Sequence, residues 1–216
     1  MKSIIKMKKL LLSIFLLCSL FLWGQSTQEQ YALKQTVVLS NFAEGYAPLP
    51  YRLYRSDQTA SMTTEAVPLV VFLHGAGERG CDNSAQLRHC IPFFLDDTIT
   101  SRYPFLLLVP QCPDGKRWIN TDWSLPEHRM ESEPTSELLG VMHLVDSLID
   151  CEAVDPSRVY ISGISMGGFG VWDALQRWPD KFAAAIPICG GGDPAFANRM
   201  KDVPSLAKTI GDEAST

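Results

Sequence analysis

No apolar run in these 216 residues is long enough to cross a bilayer. The longest, Leu10 to Trp23, is broken by Ser13, Cys18 and Ser19 and falls short of the ~20 residues a spanning helix needs. Lys2, Lys6, Lys8 and Lys9 precede it and the polar Gln25-Ser26-Thr27-Gln28 follows, so residues 1–24 read as a secretory signal peptide. Cys18 has Leu17 before it and Ser19 after, which argues against a lipoprotein anchor. The expected location is secreted or periplasmic, with no membrane association after cleavage.

An excess of positive charge is also missing. Residues 1–24 hold four lysines and no acid, so the remainder carries 15 basic against 24 acidic residues, a formal charge near −9. Such a surface excludes nucleic acid and anionic membranes as partners recognised through charge. No zinc-type spacing occurs among Cys81, Cys90, Cys112, Cys151 and Cys189. Their odd number leaves at least one thiol unpaired, and buried small hydrophobes are the default reading. Neither a metal nor a cofactor is expected. Repeats, low-complexity tracts and interdomain linkers are absent after Gln28. Histidine is scarce: it stands at 74, 89, 128 and 143, and nowhere beyond.

What is present is a set of apolar runs bounded by proline and glycine. Pro68–Leu73, Phe105–Val109, Val159–Ile161 and Ala183–Ile188 read as strands buried on both faces of a parallel sheet. Two β-rich pieces, around 35–40 and 50–55, predict an antiparallel edge hairpin with Tyr51 and Leu53 inward and Arg52 and Tyr54 partly outward. Between the runs, Leu138, Met142, Val145 and Ile149 share one helical face after a start at Glu133-Pro134-Thr135. A second helix is predicted over 167–178, stopped by Pro179. Strands alternating with helices predict an α/β fold with a mostly parallel sheet and helices on both faces.

The chemistry resides in Gly163-Ile164-Ser165-Met166-Gly167. It fits the Gly-x-Ser-x-Gly nucleophile elbow, and the strand before and helix after it are the setting the motif requires. Residues without Cβ atoms beside the serine suit a strained turn and a helix lying close to the sheet. The second block, His74-Gly75-Ala76-Gly77-Glu78-Arg79-Gly80, follows a buried strand. There Ala76 is the candidate oxyanion donor, paired with Met166 directly after the serine; a local turn held by His74 is the plain alternative. The long polar segment 111–133 carries Trp118 and Trp123, either as cleft walls for an aromatic or sugar moiety or as packing anchors. His74, Trp118 and Trp123 are therefore the candidate substrate-cleft residues.

Together with Pro110-Gln111-Cys112-Pro113 and Asp155–Gly168, these blocks resemble the α/β-hydrolase superfamily. Within it the chain is similar to secreted bacterial carboxylesterases, also labelled predicted peptidases, near the phospholipase/carboxylesterase and esterase D-like branches. The resemblance covers about residues 36–204. It implies a Ser165 nucleophile, an oxyanion loop at 74–77 and hydrolysis of short acyl, aryl or carbohydrate esters through an acyl-enzyme. It also implies a triad acid and histidine after the serine, which do not follow Val203-Pro204 here. Asp193 lies ahead of the family's acid position and Asp212 lies in the tail; neither is assigned as the acid. Of the upstream histidines, His128 is the one best placed to substitute.

The expectation is thus a signal peptide over 1–24, an α/β-hydrolase domain lacking its last strands over 25–204, an atypical tail over 205–216, and impaired ester hydrolysis. Two alternatives stand beside it: a non-catalytic binder of a glycan or aromatic ester, and a serine peptidase, since the elbow serves both acyl chemistries.

Overall fold

A computed structural model describes residues 49–55, 66–123, 125, 127–151 and 154–207. The expected signal peptide, the strand at 35–40 and most of the tail lie outside the described residues.

Among the described residues, five strands form one sheet: β1 (Tyr51–Arg55), β2 (Val67–Leu73), β3 (Leu106–Pro110), β4 (Val154–Ile164) and β5 (Ala184–Ile188). Their spatial order is β1-β3-β2-β4-β5. The last four run parallel, while β1 pairs antiparallel with β3, Leu53 opposite Leu108. The apolar runs are strands because both faces of the sheet are covered. On one face Leu69, Val71 and Leu73 of β2 and Leu106 and Leu108 of β3 meet two helices, α3 (Ser136–Cys151) and α4 (Met166–Arg177). On the other, Phe72, Leu107 and Val109 pack on Ile91. That residue belongs to α1 (Ile91–Phe94), which the short α2 (Asp97–Thr100) follows. Alternating side chains thus enter two cores, so no position on β3 is left polar.

This second core corrects one expectation. Tyr54 is buried rather than partly outward, because it joins Phe72, Phe105 and Leu107 on the α1 side. The phenol, moved out of water, has its pKa raised by burial, with nearby Arg52 opposing. Strand β4 is longer than expected and begins at Val154. It carries an exposed Asp155-Pro156-Ser157 corner in which Asp155 accepts from Ser157 and Arg158.

Helix α3 starts at the expected place. Thr135 Oγ1 accepts from the Leu138 N–H at 3.1 Å and donates to the Trp118 carbonyl at 2.8 Å, which fastens the helix to the long loop before it. Beyond β5, the Ala185 N–H donates to the Pro204 carbonyl and the Leu206 N–H donates back to Ala185. The segment around Ser205 therefore lies parallel to the β5 edge.

Candidate active site

Ser165 stands between β4 and α4 with φ 55° and ψ −116°, a backbone conformation that L-residues rarely occupy. Its neighbours make that strain possible. A Cβ on Gly167 would lie 1.9 Å from the Leu73 carbonyl oxygen, and one on Gly163 would lie 2.6 Å from the Gly167 carbonyl oxygen. The helix therefore starts against the C-terminal end of β2, closer than any side chain allows. The Ser165 N–H donates to the Ile188 carbonyl at 2.8 Å, locking the turn to β5. The hydroxyl-bearing residue itself is exposed. Strain held by packing on both sides, with the side chain outward, is the geometry of a presented nucleophile.

The loop after β2 reaches the same point. A Cβ on Gly75 would lie 3.7 Å from Ser165 Cβ, so Ala76 follows directly at the serine's edge. Ala76 opens a short 3-10 turn, Ala76–Glu78, and its carbonyl accepts from Arg79 Nε at 2.8 Å. Met166 is the first residue of α4, where the N–H has no intrahelical acceptor by helix geometry.

Two residues expected in the cleft are elsewhere. His74 is 1% exposed. Its Nε2 accepts from the Cys112 N–H at 2.8 Å, which places the proton on Nδ1, 2.6 Å from the Gly75 carbonyl oxygen. Burial lowers its pKa, against the Gly75 hydrogen bond and the Glu78 charge that raise it, so the ring is neutral. His74 is a tie between the β2 and β3 loops, with both nitrogens used. Trp118 is fully buried; its Nε1 donates to the His74 carbonyl at 3.0 Å and its Cβ fills the space beside Gly170. It anchors the loop, because a polar loop of this length needs an apolar core of its own to stay placed.

Trp123 does lie on the cleft side. Its ring is 6.0 Å from that of Phe169, and Arg117 caps it at 4.4 Å. A cleft of about 490 Å³ is lined by His128, Ile164, Ser165, Phe169, Cys189, Gly190 and Gly191. His128 thus shares a cleft with Ser165. Its ring packs edge-on to Phe169 at 4.8 Å, and its Nδ1 is buried with no hydrogen-bond partner among the described residues. The loop carrying it is fastened on both flanks. Thr121 donates to the Arg129 carbonyl, the Met130 N–H donates to Asp193 Oδ2, and Arg177 donates to the carbonyls of Glu131 and Ser132. Asp193 is thereby a loop clamp, with its backbone held by Gln176.

Sequence reasoning missed Phe169 and the Cys189–Gly191 turn; a glycine run at the end of a strand was the available signal. It also missed Glu78. That carboxylate is buried over Gly75 and pairs with His89 Nε2 at 3.4 Å.

Residues 130–208 match the prolyl oligopeptidase family. The chain is 29% identical over 167 residues to poly(3-hydroxyalkanoate) depolymerase C of Paucimonas lemoignei, covering 77% of this chain and 36% of that protein. It is 27% identical over 161 residues to feruloyl esterase B of Neurospora crassa, covering 74% of this chain and 51% of that protein. Among solved structures, a thermostable esterase superposes with TM-score 0.66 at 39% identity, over 74% of this chain and 42% of that one. The chain has the α/β-hydrolase fold and is similar to esterases that carry it. A ferulic acid esterase at 16% identity and TM-score 0.52 shares this hydrolase fold over 69% of the chain. The chain spans between about a third and a half of the length of the curated relatives it matches.

Proposed function

We propose that this chain is a serine hydrolase of carboxylic esters, with Ser165 attacking the ester carbonyl to form an acyl-enzyme. The observation that carries the reading is the exposed, strained Ser165, wedged between glycines that admit no side chain and opening on the cleft. In the same reading the Met166 and Ala76 N–H groups donate to the oxyanion that develops on the carbonyl oxygen, each worth ~3 kcal/mol of transition-state stabilisation. The names of the depolymerase and feruloyl esterase relatives favour esters over amides. Secretion rests on the residue pattern of 1–24.

A serine hydroxyl needs a base. Among the described residues, the imidazole lining the Ser165 cleft is that of His128, and its Nδ1 meets no carboxylate that would hold its tautomer. Turnover by this chain is accordingly slow, of the order of the ~10³–10⁴-fold over water that binding and an oxyanion hole give without a working triad. Hydrolysis of p-nitrophenyl acetate by the chain and by its Ser165→Ala variant tests the reading. The chain is expected to form a Ser165 acetyl adduct seen by mass spectrometry and the variant to lack it, while the residual turnover that binding and the oxyanion hole supply remains in both. No adduct in either protein would refute it.

A further inference from the structure

Three consecutive carbonyls in the loop after β2 are each held by a side-chain donor. Trp118 Nε1 donates to the His74 carbonyl at 3.0 Å, His74 Nδ1 to the Gly75 carbonyl at 2.6 Å, and Arg79 Nε to the Ala76 carbonyl at 2.8 Å. Each bond fixes one peptide plane, because the peptide unit is rigid and its carbonyl and N–H share that plane. The backbone contributes less: the Glu78 N–H reaches the Gly75 carbonyl only at 3.4 Å, long for such a bond. Arg79 also donates to the Lys116 carbonyl at 3.3 Å. Through Trp118 and Arg79 the 74–77 loop is therefore pinned to the long loop over 111–133.

The middle plane joins the Gly75 carbonyl to the Ala76 N–H, which point opposite ways across a trans peptide. With the carbonyl drawn inward to the buried His74 ring, the N–H is turned away from that ring. Among the described residues the Ala76 N–H has no acceptor of its own. Gly75 lies against the nucleophile, where a Cβ would stand 3.7 Å from that of Ser165. The hold on this plane is steady near neutral pH. The Cys112 N–H occupies Nε2, so the proton resides on Nδ1, and burial keeps the ring neutral. A donor fixed in direction and left unspent stabilises a developing oxyanion with no reorganisation remaining in the transition state. We propose that His74, Trp118 and Arg79 are positioning residues of the Ser165 reaction, holding three successive peptide planes so that the Ala76 N–H meets the carbonyl oxygen of the ester. This rests on the ester-hydrolase reading and adds to it the side chains that set the donor's direction.

The test follows acetylation of Ser165 by p-nitrophenyl acetate in the full chain, by mass spectrometry over a range of ester concentrations. Maximal rate and half-saturation are thereby separated. His74→Asn keeps an N–H near the Nδ1 position and gives up the acceptor for Cys112. His74→Gln keeps an acceptor near the Nε2 position and gives up the donor to Gly75. The Asn variant is expected to stay close to the unmodified rate. The Gln variant should lose about 10²-fold in maximal rate, as for loss of one oxyanion donor, with half-saturation little changed. Arg79 is only part-buried, so Arg79→Ala should keep the fold. It should slow acetylation about tenfold, a donor tilted rather than removed, and dilute guanidinium should restore part of the rate. Circular dichroism and the urea midpoint report folding. A merely structural tie would make both His74 variants fall together in step with stability, and that result overturns the proposal. So does an unchanged maximal rate in folded His74→Gln or Arg79→Ala. An unmodified chain that forms no acetyl adduct would instead remove the ester-hydrolase reading, and this one with it.

Discussion

Gly167, in the first turn of α4, lies within van der Waals contact of the β2 backbone, and a methyl group there would overlap the Leu73 carbonyl. Relief requires the helix to move off the sheet, which would also release Ser165 from its strained turn. Gly167→Ala should therefore cost more than about 3 kcal/mol, the upper end of overpacking penalties, measured as the shift in urea midpoint. His74 makes the opposite contribution, a tie rather than an empty space. Its folded-state pKa lies below the ordinary 6.5, so the unfolded chain binds the proton more readily. The stability that neutral His74 provides is present above pH 6.5 and is lost as the pH falls through the lower folded-state value. Urea melts from pH 7.5 down to 5 should show this loss, and a His74→Asn variant should show a smaller pH dependence over that window. The same residue shows a limit of sequence reading: a histidine opening a glycine-rich loop suggests a cleft, and only the Cys112 N–H on its Nε2 shows that the ring is already occupied.

At the scale of elements, the long loop over 111–133 is what the strands and helices position. Its apolar pin, Trp118, faces the core under β2, and its far end is gripped by α4 through Arg177. Arg177 also pairs with Asp173 one turn earlier, both side chains being 9% exposed. Burial raises the Asp173 pKa, with Arg177 working against that rise. Removing the guanidinium leaves a nearly buried carboxylate and two loop carbonyls without a donor. Arg177→Ala should destabilise by about 3 kcal/mol or more. The variant's deficit should deepen as the pH rises, because Asp173 then retains its proton in the folded state and must give it up to the unfolded one. Thermal melts at pH 5 and pH 8 check both size and sign. Strand and helix positions here were readable from apolar runs and from the 138/142/145/149 period. The buried face of Tyr54 was not, since it depends on α1 and α2, whose four-residue lengths carry no period to read.

For the molecule as a whole, the β5 side of the sheet carries exposed apolar side chains. Among the described residues, Ile186 is 44% and Leu206 is 68% exposed beside the Ser205 bridge. An apolar strand edge of this kind templates association with another chain. Ile186→Lys should lower light scattering of concentrated protein on mild heating, with less than about 0.5 kcal/mol change in the urea midpoint, because the position is outside the core. The acidic balance of the chain should keep the protein dispersed near neutral pH while leaving this edge as the place where association starts.

The sequence by itself determined the parallel α/β arrangement, the place of Ser165 and the loop that meets it. These depend on local rules: period-free apolar runs for two-sided burial, and glycines where backbones touch. Tertiary structure alone decided that His74 and Trp118 hold the loop from beneath, that His128 and Phe169 wall the cleft, and that Glu137 is buried beside Lys116 at the start of α3. Each of those outcomes is set by a partner dozens of residues away, and a side chain's neighbours across a fold leave no mark on its own stretch of sequence.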